Sequence, residues 1–225
     1  MIIRLCVGLV CLLDTANMHA QQRDGKTGFF SIYRLAVSAS GGFSRRNIEN
    51  ARSILASERT AQDLSFKGYK TGLQVLITMV DADNFLNRLS TGIRADYFSL
   101  KEKPASAREE KMSLFYIGLV EGGLFPLTPT SPVNFKFEVT IGFAEFKNSF
   151  VTPAHLQELR GQGLAYGLAP GIGFQVGRQI YLNLGADILT ANINSKLNKN
   201  PDIANTMAKE EVTLICGVVG VTMVL

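Results

Sequence analysis

The chain has 225 residues, enough for one domain or at most two small ones, and with 46% hydrophobic and 19% charged residues it is too apolar to be disordered. The formal charge of +4 is mild and no Lys/Arg-rich block interleaved with aromatics occurs, which gives no basis for a nucleic-acid partner. No apolar run reaches the about 20 residues that a membrane-spanning helix requires.

The first residues read as a secretory signal. Arg4 supplies the positive start, residues 5–13 (LCVGLVCLL) an apolar stretch of signal length, and Asp14 the polar flank before a cut at Ala20. Residues 1–20 are therefore predicted to be removed, leaving residues 21–225 as one mature domain. Cys6 and Cys11 would leave with the signal. Cys216 would remain alone, with no internal disulfide and no His or Cys at metal spacing, so neither metal nor cofactor is expected.

Beyond the signal the dominant period is two, the signature of strands with unlike faces. Tyr33, Leu35, Val37 and Ala39 oppose Arg34, Ala36 and Ser38. A long polar link over residues 42–65 follows, in which Ile48, Ala51 and Leu55 suggest a helical turn. Tyr69, Thr71, Leu73, Val75 and Ile77 then oppose Lys70, Gly72, Gln74 and Leu76, and Leu89, Thr91, Ile93, Ala95 and Tyr97 oppose Ser90, Gly92, Arg94 and Asp96. The charged segment KEKPASAREEK (101–111) leads to residues 112–123, which are apolar on both faces and leave their inward side open.

After the Pro-rich LFPLTPTSPV, Phe135, Phe137, Val139, Ile141 and Phe143 alternate with Lys136, Glu138, Thr140, Gly142 and Ala144. The link over residues 147–162 is expected to hold a helix capped by Thr152, opened by Pro153 and stopped by Gly161. Tyr166, Leu168, Pro170, Ile172 and Phe174 face away from Ala165, Gly167, Ala169, Gly171 and Gly173. A tight turn at Gly177-Arg178-Gln179 leads to Ile180, Leu182, Leu184, Ala186 and Ile188 opposite Tyr181, Asn183, Gly185 and Asp187. A polar loop over 192–210, with a second helical segment after Pro201, precedes residues 212–225, again apolar on both faces.

Eight strands joined by alternating short and long links predict an all-β fold: an eight-stranded antiparallel up-and-down transmembrane β-barrel. The alternative is a soluble barrel with its apolar face inward. Its outer face would be rich in Lys, Glu and Thr, whereas the less apolar face here is rich in Gly and Ala, which suits the crowded lumen of a narrow barrel. Charges cannot face lipid. Arg34, Lys70, Arg94, Asp96, Lys136, Glu138 and Asp187 are therefore expected inside, as a packed polar network rather than a conducting path.

The segment LAPGIGFQVGRQIYLNLGADIL (residues 168–189) resembles the penultimate hairpin of small outer-membrane β-barrel proteins. These include the OmpA-like and OmpX-like barrels and the outer-membrane β-barrel domains common in Bacteroidetes. Ala20 followed by Gln21-Gln22 is similar to mature starts in that group. The resemblance implies a Gram-negative outer-membrane location and insertion by the barrel-assembly machinery. It does not imply one activity.

Catalytic chemistry is sparse. His19 lies in the signal, and His155 with Glu158 three residues on could share a helix face, a single pair and not a site. No histidine falls on a predicted strand, which argues against a Ser-His-acid hydrolase at the rim. The expected role is non-enzymatic, structural or surface-interacting, through outer loops and an unknown surface partner. A narrow porin-like channel, or a lipid-modifying rim enzyme, is the alternative. Arg45 and Arg46 follow the first strand closely, so both are expected at headgroup height, in contact with lipopolysaccharide phosphates.

Overall fold

The structure, a computed structural model, describes residues 33–47, 66–79, 89–102, 109–128, 131–151, 156–198 and 207–225. The predicted signal, His155 and the suggested helical turn at Ile48, Ala51 and Leu55 lie outside them.

The described residues form β1 (Tyr33–Asn47), β2 (Lys67–Met79), β3 (Ser90–Glu102), β4 (Glu109–Pro126), β5 (Val133–Val151), β6 (Leu156–Leu168), β7 (Gly171–Gln175), β8 (Ile180–Asn198) and β9 (Met207–Val224). Every neighbouring pair is antiparallel. β6 and β7 are two lengths of one stave: both pair with β5 on one side and β8 on the other. Pro170 splits them because it has no N–H for the ladder, yet its carbonyl still accepts from Ala186 at 3.0 Å. The ring therefore has eight staves, and β1 closes it against β9. Closure leaves no open edge, as a sheet in hydrocarbon requires.

The register fixes the tilt. A walk across the staves runs from Ala36 through Leu76, Gly92, Val120, Thr140, Gly167, Leu189 and Leu214, and returns to β1 at Arg46, ten residues further out. A stagger of ten over eight staves corresponds to strands tilted by about 40°. Each cross-strand step from β1 towards β9 then climbs about 3 Å along the barrel axis.

The strands are longer than the links in the sequence suggested. β5 extends to Val151 and β6 begins at Leu156, so residues 156–161 are strand and not the predicted helix. The competing principle is pairing: Ser149↔Glu158, Lys147↔Arg160 and Phe146↔Gly161 continue the ladder, and Leu159 packs inward. Likewise β8 runs to Asn198, and residues 207–210 of the second suggested helix belong to β9. β1 reaches Asn47, and β3 and β4 carry much of the charged 101–111 segment.

The two strands whose faces the sequence left open are now assigned. Met112, Leu114, Tyr116 and Val120 of β4 point inward, as do Val212, Leu214 and Cys216 of β9. The opposite faces carry exposed Phe115, Ile117 and Leu119, and Ile215, Val219 and Val221. A closed barrel with such an apolar outer band is a lipid-facing barrel.

Candidate functional site

The lumen is layered. Its outer half is filled by an apolar cluster that includes Phe98, Leu100, Met112, Leu114, Phe146 and Leu214, all at most 1% exposed. Lys70 Nζ sits 5.8 Å from the Phe98 ring centroid, where the apolar filling meets the charges below.

Those charges form a quartet. Asp187 Oδ2 accepts from both Lys70 Nζ and Arg94 Nη2. Asp96 accepts from Arg94 Nε at 2.6 Å and faces Lys70 Nζ at 3.2 Å. Two cations thus meet two anions in the middle of the barrel, all with side chains at most 4% exposed. Small residues clear the space: a Cβ at Gly72 would lie 2.0 Å from Asp96 Oδ1.

A second ionic group lies towards the start of β1 and the end of β9. Glu138 Oε1 accepts from Gln74 Nε2 at 2.7 Å and meets Lys136 Nζ at 3.0 Å. Beside it Thr222 Oγ1 hydrogen-bonds Ser38 Oγ at 2.7 Å and accepts from Asn183 Nδ2 at 2.7 Å. A polar cavity runs from this level up to the quartet, lined among others by Ser38, Gln74, Glu138, Asn183, Lys70 and Asp187.

Six of the seven residues expected inside are thus brought together in the lumen. Arg34 is not among them. It keeps the parity of Ala36 and Ser38 but is exposed, because it stands at the start of β1 at the barrel's end.

The pair expected at the headgroups separates. Arg45 and Arg46 are consecutive on a strand, so they face opposite sides. Arg45 is exposed on the outer wall. Arg46 is 1% exposed and turns inward over the Phe66 ring at 5.7 Å, with Nη1 3.7 Å from Met112 Sδ. A side chain sealed in the lumen cannot touch a headgroup, so the expectation for Arg46 is corrected.

The register reveals what loop reading missed. Arg45 stands opposite Lys67, Lys67 opposite Lys101, and Lys101 opposite Lys111. Four basic residues on four adjacent strands thus form one outward row, all four exposed. With the tilt, the row climbs about 9 Å from Arg45 to Lys111.

Below it runs an aromatic girdle. Phe43, Tyr69, Tyr97, Phe115, Phe143 and Tyr166 occupy six successive staves, all exposed. Their register places them within about 4 Å of one height. A belt of aromatic rings at one level marks a membrane interface.

Beyond the girdle the β5–β6 wall is mixed. Glu158 accepts from Arg160 Nε and faces Lys147 Nζ at 3.2 Å. The bond from Arg160 holds the Glu158 carboxyl below its usual range. Glu158 is thus tied to two cations on its own wall. Among the described residues no cluster of His, Cys, Asp and Glu could hold a metal.

With this geometry in view, the chain is a small transmembrane β-barrel of the outer-membrane type. It is similar to Neisserial surface protein A (14% identity, 84% of this chain and 96% of that one, TM-score 0.53). It is also similar to a major outer membrane protein from Thermus thermophilus (13% identity, 86% and 99%, TM-score 0.52). The Ail attachment invasion locus protein of Yersinia pestis aligns more loosely, at 10% identity over 85% and 98% with a TM-score of 0.46. No known protein-family profile matches the chain, and no curated protein does.

Proposed function

We propose that the protein is a non-enzymatic component of a Gram-negative outer membrane that acts through its outward surface, with lipopolysaccharide as its first partner. The row Arg45, Lys67, Lys101 and Lys111 above the aromatic girdle carries this reading. Like charges directly opposite on neighbouring strands repel. Arg45 and Lys67 are such a pair, and an anion seated between them relieves the repulsion. Phosphates held at several depths, as on lipid A and the inner core, suit a row that climbs. Lys offers point charges and Arg a two-pronged fork to such groups.

The filled outer lumen favours this reading over a channel, since the apolar cluster and the ionic quartet both lie across any path. A Bacteroidetes-type source rests on the 168–189 segment and on Ala20 followed by Gln21-Gln22.

The test replaces Arg45, Lys67, Lys101 and Lys111 together by Ser. Association of the folded barrel with purified lipopolysaccharide should fall about tenfold or more at moderate salt, since each phosphate contact is charge-assisted. Arg178, exposed in the turn at the opposite end, serves as control, and Arg178→Ser should change nothing. Association that survives the fourfold change would end the proposal. Wild-type protein in planar bilayers should show no steady conductance, and a stable open level would favour the channel.

A further inference from the structure

The lipid face holds one charge out of place. Glu121 on β4 is exposed and points outward, opposite Thr91 of β3 and Val139 of β5. Its register sets it about 13 Å below the outer aromatic girdle. Among the described residues it is the one charged side chain on the outer wall between that girdle and the aromatic level formed by Phe135 and Phe137. A charged group in that band is costly and is therefore a candidate site.

Its surroundings are specific. Phe137 and Phe135 of β5 stack with centroids 6.4 Å apart and planes 13° apart, and both rings are partly exposed. Phe137 stands directly opposite Gly123, the next outward position after Glu121. Glu121 and Phe137 are diagonal neighbours, within side-chain reach. Gly123 puts no side chain between them. Glu121 thus stands on the strand next to Phe137, about 2 Å higher on the wall. An anion with aromatic rings on the neighbouring strand is an arrangement that can hold an organic ammonium, by charge pairing and by attraction to the ring faces.

The depth selects the ligand. This level is on the side where β1 begins and β9 ends, opposite the basic row, and is therefore periplasmic if that row meets lipopolysaccharide as proposed above. The groups within reach of a glutamate there are the headgroups of the inner leaflet. We infer that Glu121, with Phe137 and Phe135, seats the primary ammonium of an inner-leaflet phospholipid such as phosphatidylethanolamine. A basic side chain from a membrane neighbour would satisfy the same charge. It is the less favoured occupant, because the wall around Glu121 presents one carboxylate and ordinary lipid-facing side chains rather than a patterned polar patch.

The experiment reconstitutes the full barrel in vesicles of equimolar phosphatidylethanolamine and phosphatidylglycerol. Lipids that remain bound after gentle detergent release are then counted by native mass spectrometry. The wild type should retain phosphatidylethanolamine over phosphatidylglycerol by about fivefold, the scale of one partly desolvated ammonium contact. Glu121→Gln should bring the ratio near unity, Phe137→Leu should reduce it, and Glu145→Gln, an exposed carboxylate beyond the outer girdle, should leave it intact. Each variant is first checked for heat-modifiable gel migration, so that a folding failure is not read as a binding failure. Equal retention by the wild type, or a preference that survives Glu121→Gln, would overturn the inference. So would a co-migrating membrane protein lost from native gels with Glu121→Gln while the lipid ratio stays unchanged. The lipopolysaccharide row is untouched in all three variants, so this result stands apart from that of the fourfold Ser variant.

Discussion

Asp187→Ala is expected to destabilise the folded barrel by about 3–5 kcal/mol, the usual cost of stranding buried charges. Asp187 Oδ2 is shared by Lys70 and Arg94, and all three side chains are at most 4% exposed. Without it two cations, each at most 4% exposed, face one remaining anion, Asp96. The double variant Lys70→Met with Asp187→Leu removes one charge of each sign and leaves the Arg94–Asp96 pair. It should recover most of the loss, since an apolar pair often replaces a buried ion pair without cost. Equilibrium unfolding in urea with folded barrel in phosphatidylcholine vesicles measures both, as a midpoint change at constant slope. A loss below about 1 kcal/mol for the single variant would mean that water in the adjoining polar cavity solvates the quartet.

The second large effect concerns the apolar filling. Leu114 and Phe146 face each other across β4 and β5 and are fully buried. Leu114→Ala should cost about 2–5 kcal/mol and Phe146→Ala about 3–5 kcal/mol, because a rigid wall cannot collapse into the space left. The double variant should lose less than the sum, since both deletions open one shared cavity. Leu114→Met, which keeps volume, should stay under about 1.5 kcal/mol. The same unfolding series decides it. Small losses for both Ala variants would show a loosely packed lumen through which solutes could pass.

Much of this architecture is visible in the sequence because a membrane barrel writes its geometry as period two. The faces of the first three strands, of the segment from Phe135 and of the hairpin around Gly177 follow from alternation alone. The broad location of Lys70, Arg94, Asp96, Glu138 and Asp187 follows from the exclusion of charge from lipid. The apolar lumen was not visible. Met112, Leu114, Val212 and Leu214 sit in stretches apolar on both faces, where alternation carries no contrast, and an expectation of a polar interior gives such residues no place. Strand ends were also hidden. Polar composition over 147–162 and 192–210 reads as loop, yet β5, β6, β8 and β9 continue past the girdle, where their outer face is solvated and polar residues belong. Arg46 shows the consequence at one position: taken as loop it pairs with Arg45, but on a strand it must turn the other way. The basic row needed the register, since Arg45, Lys67, Lys101 and Lys111 are scattered along the chain and become neighbours only across strands.

The closing seam between β1 and β9 has a kinetic consequence. The hydrogen bond between Ser38 and Thr222 joins residues 184 positions apart, whereas most other staves pair with a neighbour just made. During synthesis and export the earlier hairpins can zip locally, but the first strand keeps a bare edge until the last one emerges. Such an edge is a template for pairing with other chains, and contacts of this sequence span form slowly. The seam is therefore the late step of assembly. Changes confined to it, such as Ser38→Pro, should slow barrel closure in vesicles and leave hairpin formation at β3–β4 untouched.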